Sequence, residues 1–433
     1  MRRPALGYGL GMSLHLRDVT EADLPAVLSL RSRAFGPLTA GDGGTWWERV
    51  AAETLGGRWL GVADESGALV GAGRIRPYEQ AWGGHPLRMG GVAGVYVEPS
   101  ARGQGVATTL TRGLITRMGE LGDVVSCLFP TTVSLYRRSG YEVGGVQQRT
   151  TYAGRTLRDL GSLAARSGVP PTSTSATSTP SAPSAPPSPR PRRARPEDAE
   201  AIHRMLRDDA ERHVRSGPMP PTTDQLRGMI DRDELITYVV PDGVVIYDLA
   251  SAAVTVEHLV AATPEAATTL WGLVGSGSAA VPTVHTYLDP RDPLTLMLGG
   301  LPTEEVRQVP WMARVIDFSA AFADRGFATR VRTEVEVAVD DSEAPRNTGR
   351  WRLSVQNGSG SATRVDAAAH PGSADPAPAE GPARVGARGL AALWCGWSTS
   401  RLRQAGLLTG GSPDDDAALD LLFAATPYLT EYF

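Results

Sequence analysis

The run Val95-Tyr96-Val97-Glu98-Pro99-Ser100-Ala101-Arg102-Gly103-Gln104-Gly105-Val106-Ala107 limits the possible folds more than any other part of this chain. It begins as a β-prone strand, turns at Pro99, passes two spaced glycines and enters a helix. That helix, GVATTLTRGLITRMGELG, places Val106, Leu110, Leu114, Ile115 and Met118 on one face. A strand that feeds a helix through so little side chain leaves the first helical amides unpaired at the positive end of the helix dipole. Such a turn is a cradle for a pyrophosphate. Gly103 and Gly105 permit positive φ and close approach of a ligand, and Arg102 adds a charge-assisted contact at the rim. A glycine-rich turn is a weak signal by itself; its place after a strand and before an amphipathic helix gives it weight.

The surrounding sequence alternates helix and strand. Leu14 to Arg17 read as a short strand, and Thr20 caps a helix at EADLPAVLSLRSRAF. RWLGVADESGALVGAGRIRPY alternates across a Ser-Gly turn as a hairpin, and MGGVAGVYVEP is the next strand. After the cradle helix come a strand at DVVSCLFP, a short helix at SLYRRSG and a last strand at YEVGGVQQRTTY. Residues 168–192 are almost wholly Ser, Thr, Pro and Ala; such a stretch has nothing to bury, so a mobile linker is expected. Beyond it the order recurs weakly. Residues 195–202 resemble the chain from Arg17 to Val27, ELITYVVPDGVVIYDLA resembles the hairpin, and LVAATPEAATTLWGLVG takes the place of the cradle strand and helix. An internal duplication accounts for this. A second polar run, residues 358–381, reads as a long surface loop inside a C-terminal α+β domain. The expected division is 1–165, a linker at 166–193, then 194–308 and 309–433.

Composition excludes some classes. A formal net charge of -4 supplies no broad basic field, so nucleic acid is not an expected partner. No apolar run approaches the roughly 20 residues of a membrane span, and the first residues lack the apolar core of a signal peptide. Cys127 and Cys395 stand far apart, with neither disulfide nor metal spacing, and read as small buried hydrophobes. A cytoplasmic protein without a metal is expected.

Arg102-Gly103-Gln104-Gly105-Val106-Ala107 matches the R-x-x-G-x-A/G signature of the GNAT acetyltransferases, and Tyr136-Arg137-Arg138-Ser139-Gly140-Tyr141 fits their Tyr-x-x-x-Gly-Tyr/Phe pattern. The whole chain resembles the Eis (enhanced intracellular survival) branch of that superfamily. VIDFSAAFADRGF, LAALWCGWSTSRLRQAGLL and the ending Tyr432-Phe433 are similar to its sterol-carrier-like third domain. The resemblance implies a mixed α/β, α+β architecture: tandem GNAT folds, the second degenerate, then a sterol-carrier-protein-like domain. It implies acetyl-CoA bound by Val95, Tyr96, Val97, Arg102, Gly103, Gln104, Gly105, Val106, Ala107 and Thr108. It further implies Tyr136 as general acid, the α-carboxylate of Phe433 as base or relay, aminoglycosides as amine substrates, and a homo-hexamer. The second half has Thr263-Pro264-Glu265-Ala266-Ala267 where the signature would stand, so it is expected to bind no cofactor.

A substrate amine with a pKa near 10 must lose a proton before it attacks. Acidic groups favour such a cation, which makes Asp42 and Glu431 candidates for the substrate pocket, with Trp46 and Trp47 as apolar walls. Asp42 reads equally as a solvated surface charge. Other readings share these motifs: acetylation of a protein lysine or N-terminus, or a lipid-binding module with vestigial catalysis.

Overall fold

Asp64 closes the first hairpin: its Oδ1 accepts from the amides of Ser66 and Ala68, at 2.9 and 3.1 Å, while Gly67 turns at φ 85°. The computed structural model describes residues 13–37, 50, 51, 53–166, 190–250, 252–277, 279–298, 303–365 and 381–433. The expected linker lies almost entirely outside them.

The elements of the first half follow the sequence pattern. Strands Trp59–Ala63 and Leu69–Trp82 flank the turn, His85–Val97 is antiparallel to the latter, and helix Val106–Leu121 follows the glycines. All five apolar positions expected on that helix are buried in one core, with Leu60, Val62, Ile75 and Met312. Each such side chain stabilises by about 1.5–3 kcal/mol, so this face fixes the cradle relative to the sheet. Strand Val125–Leu128, helix Val133–Arg138 and strand Glu142–Ala153 complete the order.

The duplication is visible in detail. Arg17 holds Asp23 through two hydrogen bonds of 2.7 Å, and Arg192 holds Asp198 through two of the same length, each clasp opening a 3-10 turn before a helix. Within the larger sheet the halves complete one another. Strand Thr303–Val315, the last of the second half, inserts between Val125–Leu128 and Glu142–Ala153 of the first, antiparallel to both. Glu142–Ala153 in turn pairs with Thr283–Thr286 of the second half. Among the described residues this gives one sheet of 13 strands. The expected division between residues 308 and 309 falls inside Thr303–Val315. Its polar first part, through Pro310, is mostly exposed and paired on one side only, with Glu142–Ala153.

The C-terminal part has a five-stranded sheet, in the order Ser359–Arg364, Gly349–Gln356, Thr333–Asp340, Ala383–Gly386, Leu408–Thr409. The first of these corrects the expectation of a loop from residue 358. Asn357 and Gly358, both at positive φ (53° and 83°), form the hairpin turn that an Asn-Gly pair favours, and the polar run after it pairs with Gly349–Gln356. Residues 366–380 lie outside the described set. Helices Phe318–Asp324, Ala387–Trp394, Thr399–Gln404 and Pro413–Leu422 cover the sheet. Glu142 joins this part to the first half: it accepts from Arg137 at 2.7 Å and Arg388 at 2.6 Å. Burial alone would raise its carboxyl, but Arg137, the Val143 amide and Arg388 together hold it below the ordinary range.

Candidate active site

The cradle has the backbone that its sequence demands. Gly103 and Gly105 stand at φ 79° and 88°, and a Cβ on either would meet nothing within 4 Å. Both glycines therefore face open space. Thr109 donates to the Gly105 carbonyl at 2.9 Å, and the amides of Val106, Ala107 and Thr108 precede it at the bare end of the helix. The cleft there has a volume of about 680 Å³. Arg102 and Arg138 line it, both exposed, so that amides and guanidinium groups together favour an anion.

The cleft continues between two strands. His85–Val97 runs parallel to Val125–Leu128 only where residues 89–91 meet 125–127. Beyond Gly91 the strand bulges against its other neighbour, with Gly94 at φ 58°, and the two strands part. Val95 and Val97 line the resulting gap. The paired stretch is pinned from below: Ser126 Oγ donates to the Gly90 carbonyl at 2.7 Å and accepts from the Tyr141 hydroxyl at 2.8 Å.

Tyr136 lies on helix Val133–Arg138, buried at the cleft wall and edge-on to Tyr141, with ring centroids 5.9 Å apart. Burial pushes its phenol up to about 12, so it keeps its proton at neutral pH. Phe433 is not among the residues lining this cleft; it lies against Gly91, the last residue of its strand to pair across the gap. The Phe433 ring packs against Tyr78 (5.1 Å) and Phe129 (5.6 Å).

Glu431 lies two residues back. Its side chain is partly open, yet both carboxyl oxygens are enclosed, and burial raises the group to about 7 against smaller opposing contributions from the Thr430 hydroxyl and the amides of Glu431 and Met219. His258 Nε2 is 3.8 Å away, but burial lowers that imidazole to about 4, so it is neutral at pH 7. Glu257, raised chiefly by burial and then by Asp248, lines the same pocket.

Of the residues expected from sequence, Val95, Val97, Arg102, Gly103, Gly105, Val106, Ala107, Thr108 and Tyr136 line one cleft. Tyr96 does not: strand alternation turns its ring to the other face, edge-on to Phe35 and buried with Val27, Leu30 and Trp59. Gln104 turns away as well, donating to the Ser100 carbonyl at 3.1 Å. Asp42, Trp46 and Trp47 lie outside the described residues. Sequence reading missed Thr131, Thr132, Leu135 and Arg138, which line the cleft together with Phe35. The second of the two arginines following Tyr136 was the available signal for Arg138.

The corresponding helix of the second half, Pro264–Ser276, begins with a side-chain cap and a proline instead. Thr263 Oγ1 accepts from the Ala266 amide at 3.2 Å, and Pro264 has no N–H. Among the described residues no group of three His, Cys, Asp or Glu could hold a metal ion, and no helix is long and apolar enough to cross a membrane.

Comparison with known families agrees with this architecture. Residues 15–144 match an acetyltransferase (GNAT) domain, residues 222–315 a second acetyltransferase (GNAT) domain, and residues 318–430 a sterol carrier protein domain. No curated protein matches the sequence. Among solved structures, a GCN5-related N-acetyltransferase from Kribbella flavida is 34% identical, covering 99% of this chain and 100% of its own, with a TM-score of 0.86. A GCN5-related N-acetyltransferase from Anabaena variabilis (19% identical, 97% and 100% covered, TM-score 0.78) shares the fold. So does Eis1 from Mycobacterium abscessus (21% identical, 97% and 100% covered, TM-score 0.66).

Proposed function

This chain belongs to the GCN5-related N-acetyltransferases, and from that premise we propose that it moves the acetyl group of acetyl-CoA directly to primary amines of polycationic small molecules, aminoglycosides foremost. The observation that carries the reading is the single cleft in which the glycine cradle, the strand gap and the Tyr136 phenol meet. In this reading the amides of residues 106–108, with Arg102 and Arg138, hold the pyrophosphate. Val95 and Val97 offer backbone groups to the pantetheine arm. Backbone amides at the gap face the thioester oxygen as it gains charge. Tyr136, protonated at neutral pH, donates to the departing thiolate.

The incoming amine must shed a proton. The α-carboxylate of Phe433 is a weak base in water, with an intrinsic pKa of about 3.3–3.7. Held at the gap, it attracts the ammonium and passes its proton on through water. Glu431, enclosed in the pocket beside Glu257 and His258, supplies a second anionic group for a polycation once it gives up its proton.

The Eis branch remains the proposed family within the superfamily, on the organisation of the full chain and the motifs; a cytoplasmic hexamer is part of the same proposal. A lipid-carrier role for the C-terminal domain fits poorly with its interior, where Phe318, Phe322, Trp351, Trp394 and Phe423 pack solidly.

Free-thiol release from acetyl-CoA against aminoglycosides, polyamines and lysine peptides tests the proposal. Turnover with several aminoglycosides, at more than one acetyl per molecule, supports it. Turnover confined to peptides moves the substrate to protein amines.

A further inference from the structure

The strand gap occurs twice. In the second half, Ala253–Ala261 runs parallel to Thr283–Thr286 only at residues 254–256, then bulges between Val256 and His258 and departs. By strand order this is the counterpart of the gap beyond Gly91. It is filled by the chain's own end. Tyr428 and Leu429 pair in parallel with Val146 and Gln147, on the strand whose residues 150–153 carry Thr283–Thr286. The C-terminal segment thus continues the line of a strand that has ended at Thr286. Thr430 and Glu431 then line the same pocket as Glu257, His258, Leu259 and Val260, the departing part of the other strand.

We infer that the second half, lacking a cradle, forms with strand Glu142–Ala153 of the first half a receptor for the C-terminal segment that sets where Phe433 lands, with Gln147 of that strand and Arg215 of the second half as positioning residues. This rests on the reading that Phe433 acts in the catalytic cleft.

The segment is held on several sides. Gln147 Nε2 donates to the Thr430 carbonyl at 2.9 Å. Arg215 Nη1 donates to the Tyr428 hydroxyl at 3.0 Å, and its guanidinium is itself fixed by Asp209 at 2.6 Å and Asp289 at 3.1 Å. The Tyr428 amide donates to the Ser216 carbonyl at 3.2 Å. Two glycines allow the backbone in: a Cβ on Gly145 would collide with the Pro427 carbonyl, and one on Gly217 with the Tyr428 carbonyl.

The receptor is also tied to the landing place. Ala81 donates to the Pro218 carbonyl (2.8 Å) and Gly217 donates to the Ala81 carbonyl (2.7 Å), so residues 217 and 218 are bonded to strand Leu69–Trp82. That strand carries Tyr78, against which Phe433 packs. A chain terminus frays unless tied down. Tied at Thr430, this one has three residues left, a reach of about 10 Å at ~3.3–3.6 Å per residue.

The test uses the full-length protein, with Gln147→Ala and Tyr428→Phe combined, Tyr428→Phe alone, and deletion of Phe433. A carboxypeptidase digests each chain while mass spectrometry times the loss of Phe433, and kcat and KM are measured in parallel. The combined variant should lose Phe433 roughly tenfold faster and lose roughly 10–10²-fold in kcat, with KM for acetyl-CoA unchanged. Tyr428→Phe, which removes only a hydroxyl, should shift both in the same direction by less. In the chain lacking Phe433 the two substitutions should change the residual kcat little, because their effect passes through that residue. An unchanged release rate, or an equal loss of kcat with and without Phe433, overturns the inference. Full activity without Phe433 would instead refute its role in the chemistry, and the release rate would still decide the receptor.

Discussion

The ring of Phe433 occupies the space that a side chain on Gly91 would need: a Cβ there would lie 2.8 Å from Phe433 Cε2. Gly91 is also the last residue of its strand to pair across the gap. The final residue of the chain therefore rests on the point where the two strands begin to part.

Gly91→Ala should consequently push Phe433 or Tyr78 out of place. The expected outcome is a fall in kcat of roughly 10–10²-fold, since misplacement of about 1 Å can cost that much. Binding of acetyl-CoA, followed by calorimetry, should change little, because the cradle is remote from this contact. An unaltered kcat would remove the contact from the mechanism.

Tyr136→Phe removes the proposed proton donor and keeps the ring that packs on Tyr141. Turnover should drop by roughly 10²–10⁴-fold, with acetyl-CoA affinity retained. Because burial raises the phenol to about 12, its ionisation should not limit the rate at any pH below about 10. A wild-type alkaline limb near pH 8 that vanished in the Phe variant would contradict this.

Gly105→Ala places a side chain at φ 88°, a left-handed conformation costing about 1–2 kcal/mol, at the mouth of the cradle. KM for acetyl-CoA should rise by roughly tenfold as the phosphate approach is obstructed, while KM for the amine stays constant. Equal changes in both would argue for general misfolding, which a melting curve would reveal.

Glu431 makes stability depend on pH in a defined direction. Burial raises its carboxyl from 4.5 to about 7 in the folded chain. Between those values the native state holds a proton that the unfolded state has released, so this group costs stability as pH rises through the window. Glu431→Gln should melt higher than wild type at pH 7, with the difference shrinking towards pH 4.5. The same variant should weaken binding of polycationic amines. A melting difference that grows on acidification would refute the assignment.

Much of the catalytic half was legible from local pattern. The helix Val106–Leu121 follows from one apolar stripe, and the cradle from Gly103 and Gly105, because both depend on neighbours within a few residues. Strand alternation also contained the information that Tyr96 faces away from Val95 and Val97. The hairpin at Asn357-Gly358 was missed because a polar strand offers no apolar alternation, although the turn residues announce it.

The sequence by itself determined the order of elements in the first half, the duplication and the glycine cradle, all of which rest on short-range periodicity and φ preferences. Only the tertiary structure decided that Thr303–Val315 crosses into the first half, that Glu431 is enclosed beside a neutral His258, and that the tail fills the second gap to bring Phe433 onto Gly91. Those pairings join residues more than a hundred positions apart. They are selected by shared hydrogen-bonding edges and burial, quantities that no local stretch of sequence contains.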